Sequence, residues 1–523
     1  MPIPHNLGDL IGADVDPAKL ALIALGEPDA SGETWGDTRV TYGELNDQAN
    51  GVARGLLMSG LMPRQRVAIL SANRAEYVAV LLGIMRAGLI AVPVNFKFPA
   101  ALSTYVMENS GAQMVFCDTA RLADVPADLP CIVFDGEGDK AFSKFVELGP
   151  FEVYPSTADE AAMFLYTSGS TGKPKGVMLS HGGHLWVANA RVRAQPPAQH
   201  RFLVAAPMYH MNALTLVLMA LHGHGSVVLL PQFNARAYIT AIERYKVSWL
   251  TSVPPMIAMM LQEKDLLERT DLSSVRFIRM GSAPVSEGLL AQINALLPNA
   301  TLTNVYGTTE GGPIVFGPHP EGLPPPLMSV GFPHPEVAVR LIGAPVTGAA
   351  SGVLAVKSPA VMLGYHNRTD LPVPITADGF YITGDVFKRD DAGFYAFVGR
   401  ADDMFVSGGE NIFPGEVEQM LETHPQIEQA CVVPIADEIK GTKPVAFVVQ
   451  EAGAALTEDA VKQYALQHAP AYQHPRRVWF VDAMPLASTN KIDRATLKAM
   501  AIAGLGSERS DLKPKSGITP IKE

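Results

Sequence analysis

Residues 166–176 read YTSGSTGKPKG, and this stretch decides how the rest of the chain is interpreted. It follows an apolar run at 161–165 that predicts a strand leading into a loop. Glycines let backbone N–H groups converge on one point, while hydroxyls and lysines add donors and positive charge, so the loop suits a polyphosphate. The Walker A pattern is excluded, because it requires glycine in place of Thr167 and Ser or Thr in place of Pro174.

Four further blocks follow in order along the chain. GSAP at 281–284, after a predicted strand, is a turn of small residues that permits close backbone approach. NVYGTTE at 304–310 ends in a carboxylate that suits Mg²⁺ bound to nucleotide phosphates, and YITGD at 381–385 ends in one that suits a ribose diol. MPLASTNKIDR at 484–494 places a lysine in a small polar loop. Taken alone, each block is an ordinary turn or a solvated loop.

Together the five blocks resemble those of the adenylate-forming superfamily, which includes acyl-CoA synthetases, adenylation domains and luciferases. The resemblance implies an α/β fold with a large multi-sheet N-terminal domain and a small mobile α+β C-terminal domain. We place the AMP- and acyl-binding domain at 1–400 and the mobile domain, which carries the catalytic lysine, at 401–523. It implies that a carboxylate attacks the α-phosphorus of ATP, releasing pyrophosphate, and that a thiol then displaces AMP after domain rotation. ATP, Mg²⁺ and CoA are the implied cofactors.

The resemblance also implies roles for individual residues. Lys491 would contact carboxylate and α-phosphate oxygens, Thr309 the phosphate and Glu310 the Mg²⁺ ion. His210 would either lie near the incoming thiol or simply pack. Asp402 would be the hinge, and Ser407, Gly408 and Gly409 would line the CoA tunnel. The implied ATP/AMP site consists of Thr167, Ser168, Gly169, Ser170, Thr171, Gly172, Lys175, Gly281, Ser282, Ala283, Pro284, Asn304, Val305, Tyr306, Gly307, Thr308, Thr309, Asp385, Arg400 and Lys491.

The resemblance also implies an acyl pocket, carried over by position in the chain, that is mostly apolar with a few polar side chains. Its residues are His210, Met211, Asn212, Val253, Pro254, Met256, Ala283, Asn304, Val305, Tyr306 and Gly307. The set contains no arginine, so a dicarboxylate lacks a partner for its second charge. Polar points in an apolar slot favour a hydroxylated aromatic acid such as 4-coumarate or ferulate, because an unpaired buried polar group is costly. A medium- or long-chain fatty acid is the alternative substrate.

The acceptor is predicted to be free CoA. No acid stands in the block 207–213, where a partner for a substrate amine would be expected, and no carrier-domain serine motif follows Lys491. An adenylation enzyme that loads a carrier protein remains an alternative, as does a luciferase-like oxygenase.

Composition limits the remaining function classes. The chain has 523 residues and a formal net charge of -11, which argues against nucleic acid or an anionic membrane as the main partner. Three widely spaced cysteines fit no metal or redox motif and indicate buried thiols in a reducing compartment. We expect a cytoplasmic protein with no membrane span, either a monomer or a homodimer. Strands alternating with helices predict parallel α/β units.

Overall fold

The computed structural model describes residues 5–12, 14–167, 173–194, 196–281, 285, 287–370, 373–451, 453–487 and 492–511. The chain forms two compact units. The larger comprises Met1–Val285, Ala291–Thr383 and Lys388–Ala396, and the smaller comprises Ser286–Leu290, Gly384–Phe387 and Phe397–Glu523. The predicted α/β class, with a large N-terminal part and a smaller C-terminal part, is confirmed. The boundary between residues 400 and 401 stays a prediction.

The strands are numbered in chain order. They are β1 (Leu20–Leu25), β2 (Asp37–Thr41), β3 (Arg66–Leu70), β4 (Ile90–Pro93), β5 (Ala112–Cys117), β6 (Cys131–Val133), β7 (Ala161–Thr167), β8 (Lys175–Ser180), β9 (Arg201–Val204), β10 (Ser226–Leu229), β11 (Trp249–Ser252), β12 (Phe277–Gly281), β13 (Thr301–Val305), β14 (Phe316–Gly317), β15 (Ser329–Pro333), β16 (Ala338–Ile342), β17 (Ala350–Lys357), β18 (Gly364–His366), β19 (Tyr381–Arg389), β20 (Tyr395–Arg400), β21 (Phe405–Ser407), β22 (Glu410–Ile412), β23 (Ile427–Asp437), β24 (Gly441–Gln450) and β25 (Val478–Phe480).

The α-helices are numbered in the same way. They are α1 (Tyr42–Met58), α2 (Ala75–Arg86), α3 (Ala100–Ser110), α4 (Phe142–Phe145), α5 (His181–Ala194), α6 (Met211–His222), α7 (Ala235–Arg244), α8 (Pro254–Gln262), α9 (Lys264–Arg269), α10 (Glu287–Leu296), α11 (Pro414–Glu422), α12 (Glu458–His468) and α13 (Arg494–Asp511). Short 3-10 helices lie at Leu7–Asp9, Thr119–Asp124, Gly138–Lys140 and Pro197–Gln199. In the described part of the chain, no helix is long and apolar enough to cross a membrane.

Two seven-stranded sheets form the core of the larger unit. The first has the order β13-β12-β11-β9-β10-β1-β2 and is parallel except for β2. The second has the order β18-β8-β7-β4-β3-β5-β6, in which β8 runs antiparallel to both of its neighbours. The predicted parallel α/β units are therefore present in both sheets, and their strands are short apolar runs because helices cover them.

Shorter strands form two further sheets. One has the order β14-β15-β20-β19-β17-β16, in the region where alternating strands with glycine turns predict a small β-subdomain. The smaller unit is built on β22-β21-β24-β23, with β25 paired in parallel to β24. In that unit, apolar side chains of α11 and α12 pack on one cluster of strand residues that includes Val432 and Val448.

Helices α1 and α2 show how local sequence determines the core. Thr41 caps α1 through a capping box with Glu44, as the Thr-x-x-Glu spacing predicts. Every residue of α2 except Glu76 is buried, and its Arg86 donates hydrogen bonds to Gly8 O, Asn46 O and the Asn50 side chain. A buried arginine is tolerated here because its donors are satisfied within the protein.

The close approach of α1 and α2 predicts a strong effect of a single methyl group. A Cβ added at Gly83 would lie 2.7 Å from Ala49 O and 2.7 Å from Val52 Cβ. We expect Gly83→Ala to lower the free energy of unfolding by about 1–3 kcal/mol, because the helices must move apart. Thermal denaturation measures this change. Gly288→Ala is the matched control, since a Cβ there meets nothing within 4 Å; equal melting temperatures for the two variants would contradict the prediction.

The three cysteines are buried free thiols, as predicted. Cys117 and Cys131 lie on neighbouring strands with their sulfur atoms 3.2 Å apart, and Cys431 lies in the smaller unit. Among the residues that the structure describes, no group of three or more His, Cys, Asp or Glu side chains could hold a metal ion.

Candidate active site

The glycine-rich loop connects two antiparallel strands. Thr167 at the end of β7 pairs with Lys175 at the start of β8, so both side chains lie at the base of a hairpin. Five of the predicted phosphate ligands lie outside the described residues, namely Ser168, Gly169, Ser170, Thr171 and Gly172. A hairpin explains why the loop lacks the Walker A spacing, which serves a loop between a strand and a helix.

Glu310 is where two of the predicted motifs meet. Its Oε1 atom lies 3.4 Å from Thr167 Oγ1 and 3.3 Å from the Tyr365 hydroxyl. The amide of Met362 donates to Glu310 O at 2.8 Å and fixes the backbone. Both side-chain contacts are long, and Oε2 makes no hydrogen bond within the described ranges. One carboxylate with a free oxygen fits Mg²⁺, which binds one or two carboxylates and otherwise keeps water and phosphate oxygens.

Tyr365 belongs to this cluster although it lies in none of the sequence motifs. Strand β18 pairs with β8, and this pairing brings Tyr365 beside the hairpin base. The Lys175 ammonium lies 4.6 Å from the centre of the Tyr365 ring and 3.5 Å from its hydroxyl. The tyrosine thus keeps Lys175 close to Glu310 without a direct ion pair, since no direct Lys175–Glu310 contact is present among the described residues.

This arrangement predicts a modest effect of one hydroxyl. We expect Tyr365→Phe to lower kcat/KM for ATP about three- to tenfold, because a neutral hydrogen bond contributes only about 0.5–1.5 kcal/mol. The rate of pyrophosphate release at varied ATP concentration measures it. An unchanged melting temperature would show that the fold is intact. An unchanged kcat/KM for ATP would contradict the assignment of Tyr365 to the site.

The segment after β13 is a tight turn. Thr308 N donates to Gly312 O, and Gly311 N donates to Thr308 Oγ1 at 2.8 Å. A Cβ added at Gly307 would lie 2.7 Å from Pro313 Cα, so glycine is needed there for close packing. The Thr309 hydroxyl makes no hydrogen bond in the described part of the chain, which leaves it available to a phosphate oxygen.

In the smaller unit, Arg400 connects two of the predicted site residues. It donates to Asp385 Oδ1 at 2.9 Å and to Asp402 Oδ1 at 3.0 Å. Burial lowers the pKa of Arg400, but Asp402 and Asp385 more than offset this effect and raise it. Gly384 has a φ of 74°, and a Cβ there would lie 3.1 Å from Arg400 Nη2. The glycine therefore provides both the turn and the space for the guanidinium.

Two other predicted segments also lie in the smaller unit. Ser407 pairs with Glu410 across an antiparallel hairpin, and Gly408 and Gly409 form its turn with φ values of 61° and 90°. Two positive φ angles are typical of a two-residue hairpin turn. Lys491 lies outside the described residues; Leu486 and Ile492, which flank it, form an isolated antiparallel bridge.

The predicted acyl pocket lies at the carboxyl edge of the first sheet. Strands β9, β11, β12 and β13 are parallel, so the segments after them meet at one edge. They include His210 before α6, Val253 after β11 and Tyr306 after β13. In the sheet, β10 lies on one side of β9, whereas β11, β12 and β13 lie on the other side. Open α/β sheets bind ligands at such a switch point in strand order.

Individual pocket candidates differ in their surroundings. The Met211 sulfur contacts His184 Nε2 at 3.5 Å and Thr215 Oγ1 at 3.2 Å, so it packs against α5 and within α6. Met256 is buried, whereas Asn212 has a buried Nδ2 without a hydrogen-bond partner in the described structure. Burial lowers the pKa of His184 to about 4, which keeps that imidazole neutral. Ser282, Ala283 and Pro284 lie outside the described residues.

Close backbone approach at the turn 281–284, which is predicted to belong to the ATP/AMP site, is evident at Gly281. A Cβ there would lie 2.7 Å from Val305 Cγ2, and Gly281 is the register partner of Val305. Asn304 is the partner of Met280, so the remaining candidates on β13 lie beside this turn. Two strands of the sheet thus bring two of the sequence blocks together.

Comparisons with known proteins agree with this geometry. A family model described as "AMP-binding enzyme" matches residues 13–366, and one described as "AMP-binding enzyme C-terminal domain" matches residues 416–491. The chain is 33% identical over 474 residues to a feruloyl-CoA synthase of Amycolatopsis sp, covering 89% of this chain and 94% of that protein. It is 30% identical over 491 residues to 4-coumarate–CoA ligase 2 of Nicotiana tabacum, covering 89% and 90%.

A solved structure extends the likeness to the fold. An anthranilate CoA ligase in complex with anthranoyl-AMP superposes with a TM-score of 0.86. The alignment covers 97% of this chain and 99% of that protein at 24% identity.

Proposed function

Because the chain belongs to the family of AMP-binding enzymes and is an AMP-forming acyl-CoA synthetase, we propose that its acyl substrate is a hydroxycinnamate-type aromatic acid such as 4-coumarate or ferulate. The observation that carries this proposal is the 33% identity to a feruloyl-CoA synthase across 89% of the chain. ATP and CoA are the co-substrates. Polar groups such as Asn212 at the carboxyl edge of the first sheet support an acid with oxygen substituents on its ring.

We propose that the site residues bind different parts of ATP and the Mg²⁺ ion. Thr167, Lys175 and Thr309 would hold the phosphates of ATP, and Glu310 would hold Mg²⁺, which supplies charge neutralisation at the phosphates when bound. Asp385 would accept hydrogen bonds from the ribose, with Arg400 fixing its carboxylate at 2.9 Å. The substrate carboxylate attacks the α-phosphorus and pyrophosphate leaves; the CoA thiol then attacks the acyl carbonyl and AMP leaves.

We further propose that Lys491 stabilises the charge that develops in the first step and that Gly408 and Gly409 admit the pantetheine chain in the second. Two positive-φ glycines without side chains leave the hairpin turn open. An acyl-adenylate hydrolyses readily, so transfer within a closed site protects it from water.

The test is AMP release with ATP, Mg²⁺ and CoA across a panel of acids. The panel runs from acetate to palmitate and adds malonate, benzoate, 4-coumarate, ferulate and caffeate. We expect the highest kcat/KM among the three phenylpropenoids. A higher value for a linear acid would contradict the proposed substrate class. No turnover with any acid, in a folded protein that binds ATP, would favour a carrier protein as the acceptor.

A further inference from the structure

The motif that carries Lys491 ends in an ion pair of the smaller unit. Arg494, the first residue of α13, donates to both carboxylate oxygens of Glu418 on α11. The distances are 2.5 Å from Nη1 to Oε1 and 2.7 Å from Nη2 to Oε2, and Glu418 is buried. Two parallel hydrogen bonds between a planar guanidinium and a carboxylate fix the orientation of both groups. No step of the proposed reaction involves either side chain.

The pair also completes the outer edge of β23. This strand comes last in the order of its sheet, and among the described residues no strand pairs with its outer side. Val432 N donates to Glu418 Oε1 at 2.6 Å, and Arg494 Nη1 donates to Val432 O at 3.0 Å. Glu422, one helical turn after Glu418, accepts from Ala430 N at 3.0 Å. Since backbone groups at a sheet edge need partners, α11 and β23 together hold the ion pair in one place.

The chain returns to one point on either side of Lys491. Leu486 and Ile492 form an antiparallel bridge, and Asp493 N donates to Pro485 O at 2.8 Å. The segment that contains Lys491, which lies outside the described residues, therefore begins and ends at a closed base. Helix α13 follows at once, with Asp493 in the capping position, because its Oδ1 atom accepts from the backbone amide two residues into the helix, at 3.0 Å.

Apolar packing supports this base without orienting it. The cluster beneath it is formed by side chains of the sheet and of α13, including Val433, Phe447, Met484 and Leu497, and Ile492 packs against it. Apolar burial is non-directional, so it fixes the depth of the base more firmly than its rotation. Arg494 stands three residues after Lys491, a chain length of at most about 11 Å. The bidentate pair thus supplies a directional contact close to the lysine.

The energetics of such a pair favour a role in positioning. Burial lowers the pKa of Arg494, but Glu418 more than offsets this effect and raises it. Because both charges lose contact with water, a buried ion pair gives little net stability compared with apolar residues of similar size. Its geometry is nevertheless strict. Strict geometry matters for a catalytic cation, since a displacement of about 1 Å can slow a reaction about 10²-fold.

We propose that Arg494 is a positioning residue, which through its bidentate pair with Glu418 orients the segment that carries Lys491 for acyl-adenylate formation. This proposal rests on the proposed function in one respect, namely the role of Lys491 in the first half-reaction. Arg494 acts through the lysine and not on the substrate. Thioester formation, in which the lysine has no part, does not depend on the pair.

The experiment measures both half-reactions in variants of the arginine. Pyrophosphate release reports adenylation, and acyl-CoA formation from synthetic acyl-AMP reports thioester formation. We expect Arg494→Gln to lower kcat for adenylation about tenfold or more, with the KM for ATP and the rate of thioester formation both within about threefold. Arg494→Lys keeps the charge but loses the bidentate geometry, so a smaller loss, again confined to adenylation, is expected.

A double-mutant cycle with Lys491 distinguishes positioning from a structural effect. If Arg494 acts through the lysine, then Arg494→Gln should slow adenylation by less than about threefold in the Lys491→Ala background. A further loss of about tenfold in that background would overturn the proposal, because the arginine would then act without the lysine.

A second ion pair of the smaller unit provides the matched control. Arg477 Nη1 donates to Glu458 Oε2 at 2.8 Å and joins the residue before β25 to α12. We expect Arg477→Gln to leave both half-reactions within about threefold, even if it lowers the melting temperature as far as Arg494→Gln does. If Arg494→Gln slows both half-reactions alike, it acts by destabilising the unit, and the positioning role is overturned. Should Arg494→Gln fail to fold, Arg494→Lys in both backgrounds decides between the same outcomes.

The outcomes separate this inference from the proposed function. If Lys491→Ala slows adenylation and Arg494→Gln does not, only the role of Arg494 is overturned. If Lys491→Ala leaves adenylation unchanged, the catalytic role proposed for the lysine fails, and the positioning role fails with it. The acyl class does not enter, because both half-reactions are measured with the acid that gives the highest kcat/KM.

Discussion

Replacing Lys491 by alanine should reduce acyl-adenylate formation by about 10²-fold or more while leaving thioester formation from a preformed acyl-adenylate nearly unchanged. The physical reason is that negative charge develops between carboxylate and α-phosphate oxygens only in the first step. A positioned cation stabilises that transition state, whereas in the second step the thiol attacks a carbonyl that is already activated. The assignment of Lys491 rests on its family motif, since the residue lies outside the described part of the structure.

Measuring the two half-reactions separately tests this role. Pyrophosphate release reports the first, and acyl-CoA formation from synthetic acyl-AMP reports the second. Lys498→Ala is the matched control, because Lys498 is an exposed lysine on α13. Equal loss in both half-reactions would refute the role assigned to Lys491. If neither half-reaction became slower, a residue other than Lys491 would have to supply the catalytic cation.

Much of the architecture could be predicted because it follows from local pattern. Short apolar runs such as 66–70 became strands, and the Thr41 capping box begins α1 as its spacing indicates. These features depend on residues within a few positions of one another, so one sequence suffices to find them. The hairpin around the glycine-rich loop was missed, because only pairing between β7 and β8 distinguishes it from a strand followed by a helix.

The site was predictable to the extent that its residues stand in motifs. Glu310 and Thr167 belong to separate blocks, and the structure brings their side chains to 3.4 Å. Tyr365 stands in no motif; it reaches the site because β18 pairs with β8. Such positions depend on sheet order and register, which a single sequence specifies only through the complete fold.

The described side chains around Glu310 neutralise only part of the charge of a polyphosphate. Among the described residues, the cluster around Glu310 contains one carboxylate, one lysine and hydroxyls, so we expect a bound polyphosphate to need a divalent cation beside it.

The second large effect is expected for Glu310→Gln. Glutamine keeps an oxygen that can accept from Thr167 and Tyr365, which lie 3.4 Å and 3.3 Å from Oε1, but it removes the negative charge. We expect kcat/KM for adenylation to fall about 10²-fold, because a neutral amide is a poor Mg²⁺ ligand. The Mg²⁺ concentration for half-maximal activity should rise about tenfold or more, whereas the fold should remain intact.

Two measurements separate a metal role from a merely structural one. Calorimetric titration with ATP at low and high Mg²⁺ should show that the variant loses the Mg²⁺-dependent part of ATP affinity. Glu321→Gln, at an exposed position, is the matched control and should leave that dependence unchanged. If Glu310→Gln lowers the rate but keeps the wild-type Mg²⁺ dependence, then Glu310 is not a ligand of the metal.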